Sequence, residues 1–339
     1  MKRELGVIIP AIADRYGVRG GRLVVAVAGV VLLTLPLWAT AYVVNMFTTI
    51  GLYSVLALGL VLLTGLAGQV SLCQAMFYGV GAYTSALLAV RLGIPPALAL
   101  VSGAAAAGLV AAPLGRAILR LRGIIVAGVT LTVNLGFFYL VKSAAELTGG
   151  ATGLYLIPRL DSPGGMSYSS FIFFVVWALV ILCLVLTSNL VKSRIGRALK
   201  SMNVLAGGSE DTAQVLGIDV MHFKVGVYIV AAVFAGAAGA VYAHRMTVIE
   251  PHTFGAQTSV LIAIMAIVGG VTNPWGAILG AALIVGITEV FREVAPVVLG
   301  GATGAYELVA YGVVLVLTLL FLPEGLFSLP TRLRKRHED

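Results

Sequence analysis

QTSVLIAIMAIVGGVTNPWGAILGAALIVGIT, residues 257–288, runs for 32 residues without an Asp, Glu, Lys or Arg and is interrupted in its middle by GGVTNPWG, Gly269–Gly276. A membrane-crossing helix needs about 20 mostly apolar residues. The stretch is therefore long for one crossing and short for two. The charges outside it decide the count. Taken as one crossing, it gives nine in the chain and leaves the basic C-terminal residues Arg332, Arg334, Lys335 and Arg336 on the side opposite the other basic clusters. Split at the glycines and Pro274 it gives ten, and every cluster falls on one side, as the positive-inside rule requires. Two shortened crossings are tolerated only where the broken backbone is covered by protein or lines a cavity.

The rest of the chain agrees with a membrane reading. Of 339 residues, 60% are apolar and 11% charged, far below the roughly 25% charge of a soluble domain. No charged residue occurs from Leu23 through Val90, from Pro96 through Gly115, or from Pro251 through Thr288. Apolar segments stand at 23–41, 43–63, 72–90, 96–115, 123–141, 170–188, 223–243, 257–288 and 305–322. The fourth ends at Arg116 and Arg120 and the sixth at Lys192, Arg194 and Arg197, both on the side assigned to the N-terminus. The net charge of +8 thus reads as membrane orientation, and nucleic-acid binding is a poor explanation. The sequence predicts an all-α, polytopic transmembrane bundle of about ten spans with both termini cytoplasmic. Its parts are a tail at 1–22, a transmembrane body at 23–325 that includes a cytoplasmic loop at 189–222, and a basic tail at 326–339. Cys73 and Cys183 give neither a disulfide framework nor metal-ligand spacing.

A second interruption lies in the first half, where Gly65 and Gly68 precede Gln69, Ser71 and Gln74. It corresponds in place to Gly269, Gly270 and Asn273, which suggests an internal pseudo-repeat. Paired broken segments point to a transporter's substrate path. Their freed backbone groups and amides can hold the charged ends of a zwitterion, with Met76, Phe77 and Ile267 as the apolar wall. No ionisable residue stands at these positions, which favours cargo of zero net charge. Interhelical hydrogen bonding is the competing reading of Gln69, Ser71, Gln74, Asn134 and Asn273. The glycines deeper in spans, such as Gly81, Gly103 and Gly236, read as close-packing positions. His244 and His252 read as ordinary loop residues, and no metal site is expected. No GxxxxGK[ST] phosphate loop and no GxSxG motif occurs, so neither nucleotide hydrolysis nor serine catalysis is expected of this chain.

The loop at 189–222 contains SEDTAQVLG, in which Ser209, Glu210 and Asp211 suit a helix start and Gly217 a helix end. A short helix there can dock a soluble partner or simply pack at the interface. Arg194, Arg197 and Lys200 hold it near anionic headgroups.

Five segments taken in order carry a resemblance: LTGLAGQVSLCQAMFYGVGAYTSALL from Leu63, SRIGRALKSMN from Ser193, DTAQVLGIDVMHFKVGVYIVAAVFAGAAGAVYA from Asp211, VGGVTNPWGAILGAAL from Val268, and FLPEGLF from Phe321. Together they resemble the LivM-like permease subunits of bacterial high-affinity branched-chain amino acid ABC transporters. The resemblance implies a non-enzymatic permease in the inner membrane. It implies pairing with a related permease and with two cytoplasmic ATP-binding subunits that use ATP and Mg, while a periplasmic or lipoprotein binding protein delivers the substrate. DTAQVLG is similar to the family's ATPase-coupling motif, which implies that role for Asp211, Thr212, Ala213 and Gly217. Related permeases take urea, short amides or aromatic acids; a permease for urea, short amides or another amino acid stays open as an alternative, as does the separate class of a membrane enzyme or accessory scaffold.

Overall fold

A computed structural model describes residues 34–121, 123–163, 165–202, 219–271 and 273–299, together with Gly29, Gly312, Val313, Val316 and Leu320. Nine helices of eight or more residues follow one another among these: α1 (Ala41–Val61), α2 (Gln74–Leu92), α3 (Pro96–Ile118), α4 (Ile124–Ser143), α5 (Tyr168–Lys192), α6 (Arg194–Met202), α7 (Val220–Met246), α8 (Ala256–Gly269) and α9 (Pro274–Leu299). A π-helical turn, Leu62–Leu66, extends α1. Six of these helices, α1 with its π turn, α2, α3, α4, α5 and α7, are long and apolar enough to cross a membrane. They stand where the second through seventh apolar segments lie in the sequence.

The 257–288 stretch does divide at its glycines. α8 and α9 are bent by 118° at the break, and counted as one broken span they raise the number of crossings to seven among the described residues. With only 14 residues, α8 is about 21 Å long, short of the roughly 30 Å hydrocarbon layer. The expected first and last crossings, 23–41 and 305–322, lie mostly outside the described residues, as do both tails and the loop positions Asp211, Thr212, Ala213 and Gly217. The chain is an all-α, multi-pass membrane protein.

Local chemistry sets the helix ends. Pro96 and Pro274 occupy first-turn positions, where no backbone N–H is needed. Gly93 closes α2 in the left-handed region at φ 64°. Asp219 caps α7, its Oδ1 accepting from the His222 N–H at 3.0 Å.

Helices α1 and α7 are the centre of the bundle. Some 78% of the apolar window in α1 and its π turn is buried, and 67% in α7, against 22% in α4. Helix α7 runs parallel to α2, with Ser85 at the level of His244 and Gln74 at the level of Ala231. It runs antiparallel to α3, with Gly115 against Tyr228 and Gly103 against Ala240. Glycines make these crossings close: a Cβ on Gly81 would overlap the Gly236 backbone, and one on Gly239 would overlap the Tyr78 carbonyl. With lipid on the outside, such van der Waals contact is a main source of helix association. Two ends can then be distinguished. The basic end holds Arg116, Arg120 and Lys192, and the loop end holds the connections 144–167 and 247–255.

Candidate functional site

The first break is a length of non-helical backbone carried back into the bundle. After Leu66 the chain turns through Gly68 at φ 64°, and α2 does not start until Gln74. Gln74 Nε2 donates to the Leu56 carbonyl at 3.4 Å and to the Ala231 carbonyl at 3.1 Å. Leu56 lies ten residues before Leu66 on α1, so the chain climbs back roughly 15 Å between Leu66 and Gln74. Backbone at that depth needs partners from protein. It finds them on three helices, and a side chain reaches a fourth. Gln69 N–H donates to the Leu63 carbonyl at 3.2 Å, Leu72 N–H to Thr130 Oγ1 at 2.9 Å, and Ala75 N–H to Ser259 Oγ at 3.0 Å. Cys73 Sγ lies 2.9 Å from the Tyr228 hydroxyl and 3.2 Å from Ser71 Oγ.

Ser259 is the meeting point of this region, since it also accepts from Asn134 Nδ2 at 2.8 Å. It ties the start of α2 to α4 and α8. Three amide oxygens nearby in the sequence pattern remain buried without a donor: Gln69 Oε1, Gln74 Oε1 and Asn134 Oδ1. Each is an acceptor able to take a hydrogen bond from water or from a passing N–H group. Met76 and Phe77 are buried in the core, where Phe77 packs edge-on against Tyr228 with centroids 5.4 Å apart.

The second break is shorter and tied mostly to itself. Gly270 lies at φ 111°, Asn273 N–H reaches the Gly270 carbonyl at 3.5 Å, and Asn273 Oδ1 accepts from the Trp275 N–H at 3.1 Å. A Cβ on Gly269 would overlap the Gly276 carbonyl, and one on Gly280 the Met265 carbonyl, so α8 and α9 touch through bare backbone. Ile267 is half-buried on α8.

The two breaks converge at one place. Gly65 and Leu66 from the first, Val271 and Pro274 from the second, and Thr187 and Val191 of α5 line a cavity of about 20 Å³. Thr187 Oγ1 is buried there without a hydrogen-bond partner. Of the residues expected on a path, Gly65 thus borders the second break directly. Gln74 and Ser71 are engaged among α1, α2 and α7, and Asn273 serves as a local cap.

Sequence reading missed Ser259, Thr130, Tyr228 and Thr187. Each is a hydroxyl on a membrane-spanning helix or its broken continuation, with no local pattern to announce its partner. His244 departs from its expected loop role. It is fully buried at the end of α7, with Nε2 2.8 Å from Ser85 Oγ and Nδ1 2.7 Å from the Pro158 carbonyl. Together with the Tyr168 hydroxyl donating to the His244 carbonyl at 2.7 Å and the bridge between Leu154 and Ile249, it clips the loop-end connections onto the bundle.

Comparison with known proteins adds identity to this geometry. The permease protein LivM of the high-affinity branched-chain amino acid transport system from Salmonella typhimurium is 29% identical over 91% of this chain and 73% of its own length. LivM from Escherichia coli is 29% identical over 95% of this chain and 78% of its own. The L-arabinose ABC transporter permease protein AraH of Azospirillum brasilense is 27% identical over 57% of this chain and 55% of its own. No solved structure matches. The model of the family described as branched-chain amino acid transport system / permease component matches residues 42–319, a range that takes in both breaks and the helices that hold them, and the chain belongs to that family.

Proposed function

We propose that the chain is one permease subunit of an ABC importer that moves leucine, isoleucine and valine across a bacterial inner membrane. The observation that carries this reading is the family match over residues 42–319. The convergence of two broken segments on Gly65, Val271 and Pro274 supports it, because a permease needs backbone that can change its facing without exposing unpaired groups to lipid. The basic end is cytoplasmic, the loop end faces the exterior, and ten crossings put both termini inside. A related permease completes the path. Two cytoplasmic ATP-binding subunits, with ATP and Mg, press on the loop that holds Asp211, Thr212, Ala213 and Gly217. A binding protein hands over substrate at the loop end. Gly65, Gly68, Gln69, Gly269 and Gly270 line the path, with Ser71, Gln74, Met76 and Phe77 behind them and Ile267 and Asn273 beside them.

The test is uptake of radiolabelled leucine by the complete complex reconstituted in vesicles, with valine, urea, phenylalanine and arabinose as competitors. Saturable leucine uptake, competed by valine and not by urea or arabinose, is the expected result. Gly217→Trp, which places a large side chain at the end of the docking segment, lowers that uptake and the yield of co-purified ATPase. An active ATPase without saturable leucine uptake overturns the substrate assignment. Competition by arabinose would favour the sugar-permease branch represented by AraH.

A further inference from the structure

Several hydroxyls in the apolar helices of this chain bond back to their own backbone. Thr48 Oγ1 donates to the Val44 carbonyl at 2.7 Å, Ser54 Oγ to the Ile50 carbonyl at 2.7 Å, Thr130 Oγ1 to the Val126 carbonyl at 2.8 Å and Thr288 Oγ1 to the Ile284 carbonyl at 2.8 Å. Such a bond satisfies the hydroxyl one turn back and withdraws it from its surroundings. Thr187 departs from this pattern. It is 1% exposed, and its Oγ1 has no partner among the described residues, not even the Cys183 carbonyl one turn back on α5. Thr187 borders the cavity of about 20 Å³ at which Gly65 and Leu66 of the first break meet Val271 and Pro274 of the second, and its own helix leaves the hydroxyl to that space.

The second break brings a matching acceptor. In a helix running unbroken from α8 into α9, the Val271 carbonyl would take the N–H of Trp275. That N–H goes instead to Asn273 Oδ1 at 3.1 Å, and Pro274 has no N–H to offer. A hydroxyl and a carbonyl released by the break thus stand on one small cavity, and at this size any occupant touches every wall. A buried water needs about 10–15 Å³ or more and a few polar partners, which the cavity meets. The other lining residues are apolar, Val61, Leu62 and Val191 among them. A metal ion takes about six or more oxygens and finds too few here. An amino acid needs a site of about 300 Å³ or more.

We propose that the crossing of the two breaks is a binding site for one water molecule, which accepts from the Thr187 hydroxyl and donates to the Val271 carbonyl. The bridge links α5 to the second break. A water-mediated bond is nearly as favourable as a direct one, and the water can be exchanged when the groups it joins move apart. As the path changes its facing, Val271 keeps a partner through the water and no bare carbonyl meets hydrocarbon. Thr187 lies about one and a half turns from Lys192 at the basic end of α5, a short way for water to enter. The part played in the change of facing rests on the importer reading; the site itself rests on the cavity and Thr187.

Radiolytic footprinting of the complete complex, reconstituted in vesicles in ¹⁸O-labelled water, reads the site, because hydroxyl radicals formed from a bound water oxidise the side chains it touches. Leu62 and Leu66, both buried on the cavity, are the reporters, and Leu56 and Leu58, fully buried in α1 and away from it, are the dry reference. The expected result is ¹⁸O incorporation at Leu62 and Leu66 well above that reference. Thr187→Val keeps the side-chain shape and removes the hydroxyl. The water's binding constant then falls on the order of tenfold, as for one buried hydrogen bond, and labelling drops toward the reference. Thr187→Ser keeps the hydroxyl and restores labelling. Leucine uptake per assembled complex, measured on the same vesicles, falls in Thr187→Val and recovers in Thr187→Ser. Reference-level labelling in the unaltered complex means a dry cavity, and equal labelling in Thr187→Val means that Thr187 does not hold the water; either result overturns the site. Lost labelling with unchanged uptake in Thr187→Val overturns its part in the change of facing. Saturable uptake of another solute without leucine uptake overturns the substrate reading and leaves the site standing, since labelling does not depend on the cargo.

Discussion

The two breaks in this chain look alike in sequence and differ in how they are held. Both carry a glycine at positive φ, Gly68 at 64° and Gly270 at 111°. Between Ala67 and Cys73, however, the first borrows partners from elsewhere: Thr130 takes the Leu72 N–H, Ser259 the Ala75 N–H that follows, and Gln74 reaches α1 and α7. The described residues of the second bond to one another, through Gly270, Asn273, Trp275 and Gly276; α8 and α9 meet through close backbone contact, and Val271 and Pro274 pack against the π turn and α5 without a hydrogen bond to them. A broken segment anchored by side chains of several helices moves only if those helices move. One closed on itself can rotate as a unit. The first break is therefore the fixed side of the pair and the second the hinge, a difference that substitutions can probe separately.

The largest effect is expected where the hinge touches bare backbone. Gly269→Leu places a side chain where the Gly276 carbonyl lies, and α8 and α9 must separate. Overpacking of a close crossing costs about 1–3 kcal/mol and can exceed it when the obstacle is main chain. The expected outcome is a lowered thermal midpoint and lost uptake for the purified complex. An unchanged midpoint would mean that the α8–α9 contact does not hold the hinge.

Next comes the fixed break. Ser259→Ala removes the acceptor of the Ala75 N–H and of Asn134 Nδ2 together. A buried donor left unsatisfied costs about 1–3 kcal/mol. Thermal stability of the complex should fall, and uptake per correctly assembled complex should stay close to its starting value, because this side does not move. If uptake per complex falls while stability holds, the roles assigned to the two breaks are reversed.

Much of this was legible before any coordinates. Helical segments six in a row, the division at Gly269–Gly276 and the close-packing glycines follow from charge gaps and residue type, because lipid admits few alternatives for a backbone. Legibility ended at partners. That Gln74 binds two carbonyls 18 and 157 residues away cannot be read from local pattern, since an amide in an apolar span serves equally for packing and for a path. His244 read as a loop residue because it stands just past the apolar segment 223–243, yet α7 runs on through Met246 and buries the imidazole under Pro158.

The smallest effect belongs to the hinge's own cap, and it separates stability from motion most cleanly. Asn273 Oδ1 accepts the Trp275 N–H at the start of α9, beside a backbone that is partly open to its surroundings. Replacing such a cap with alanine costs about 1 kcal/mol, and solvent or neighbouring groups can recover part of it. Asn273→Ala should therefore shift the thermal midpoint only slightly, and Asn273→Asp, which keeps the acceptor, less still. If the second break is the hinge, loosening its cap alters the balance between the two facings of the path. A bias of about 1 kcal/mol changes such an equilibrium roughly fivefold. Leucine uptake at saturating substrate should then change by a factor of that order in Asn273→Ala and recover in Asn273→Asp, although both complexes assemble equally. Equal uptake in all three forms would leave the cap without influence on the facing, and the second break would then be as fixed as the first.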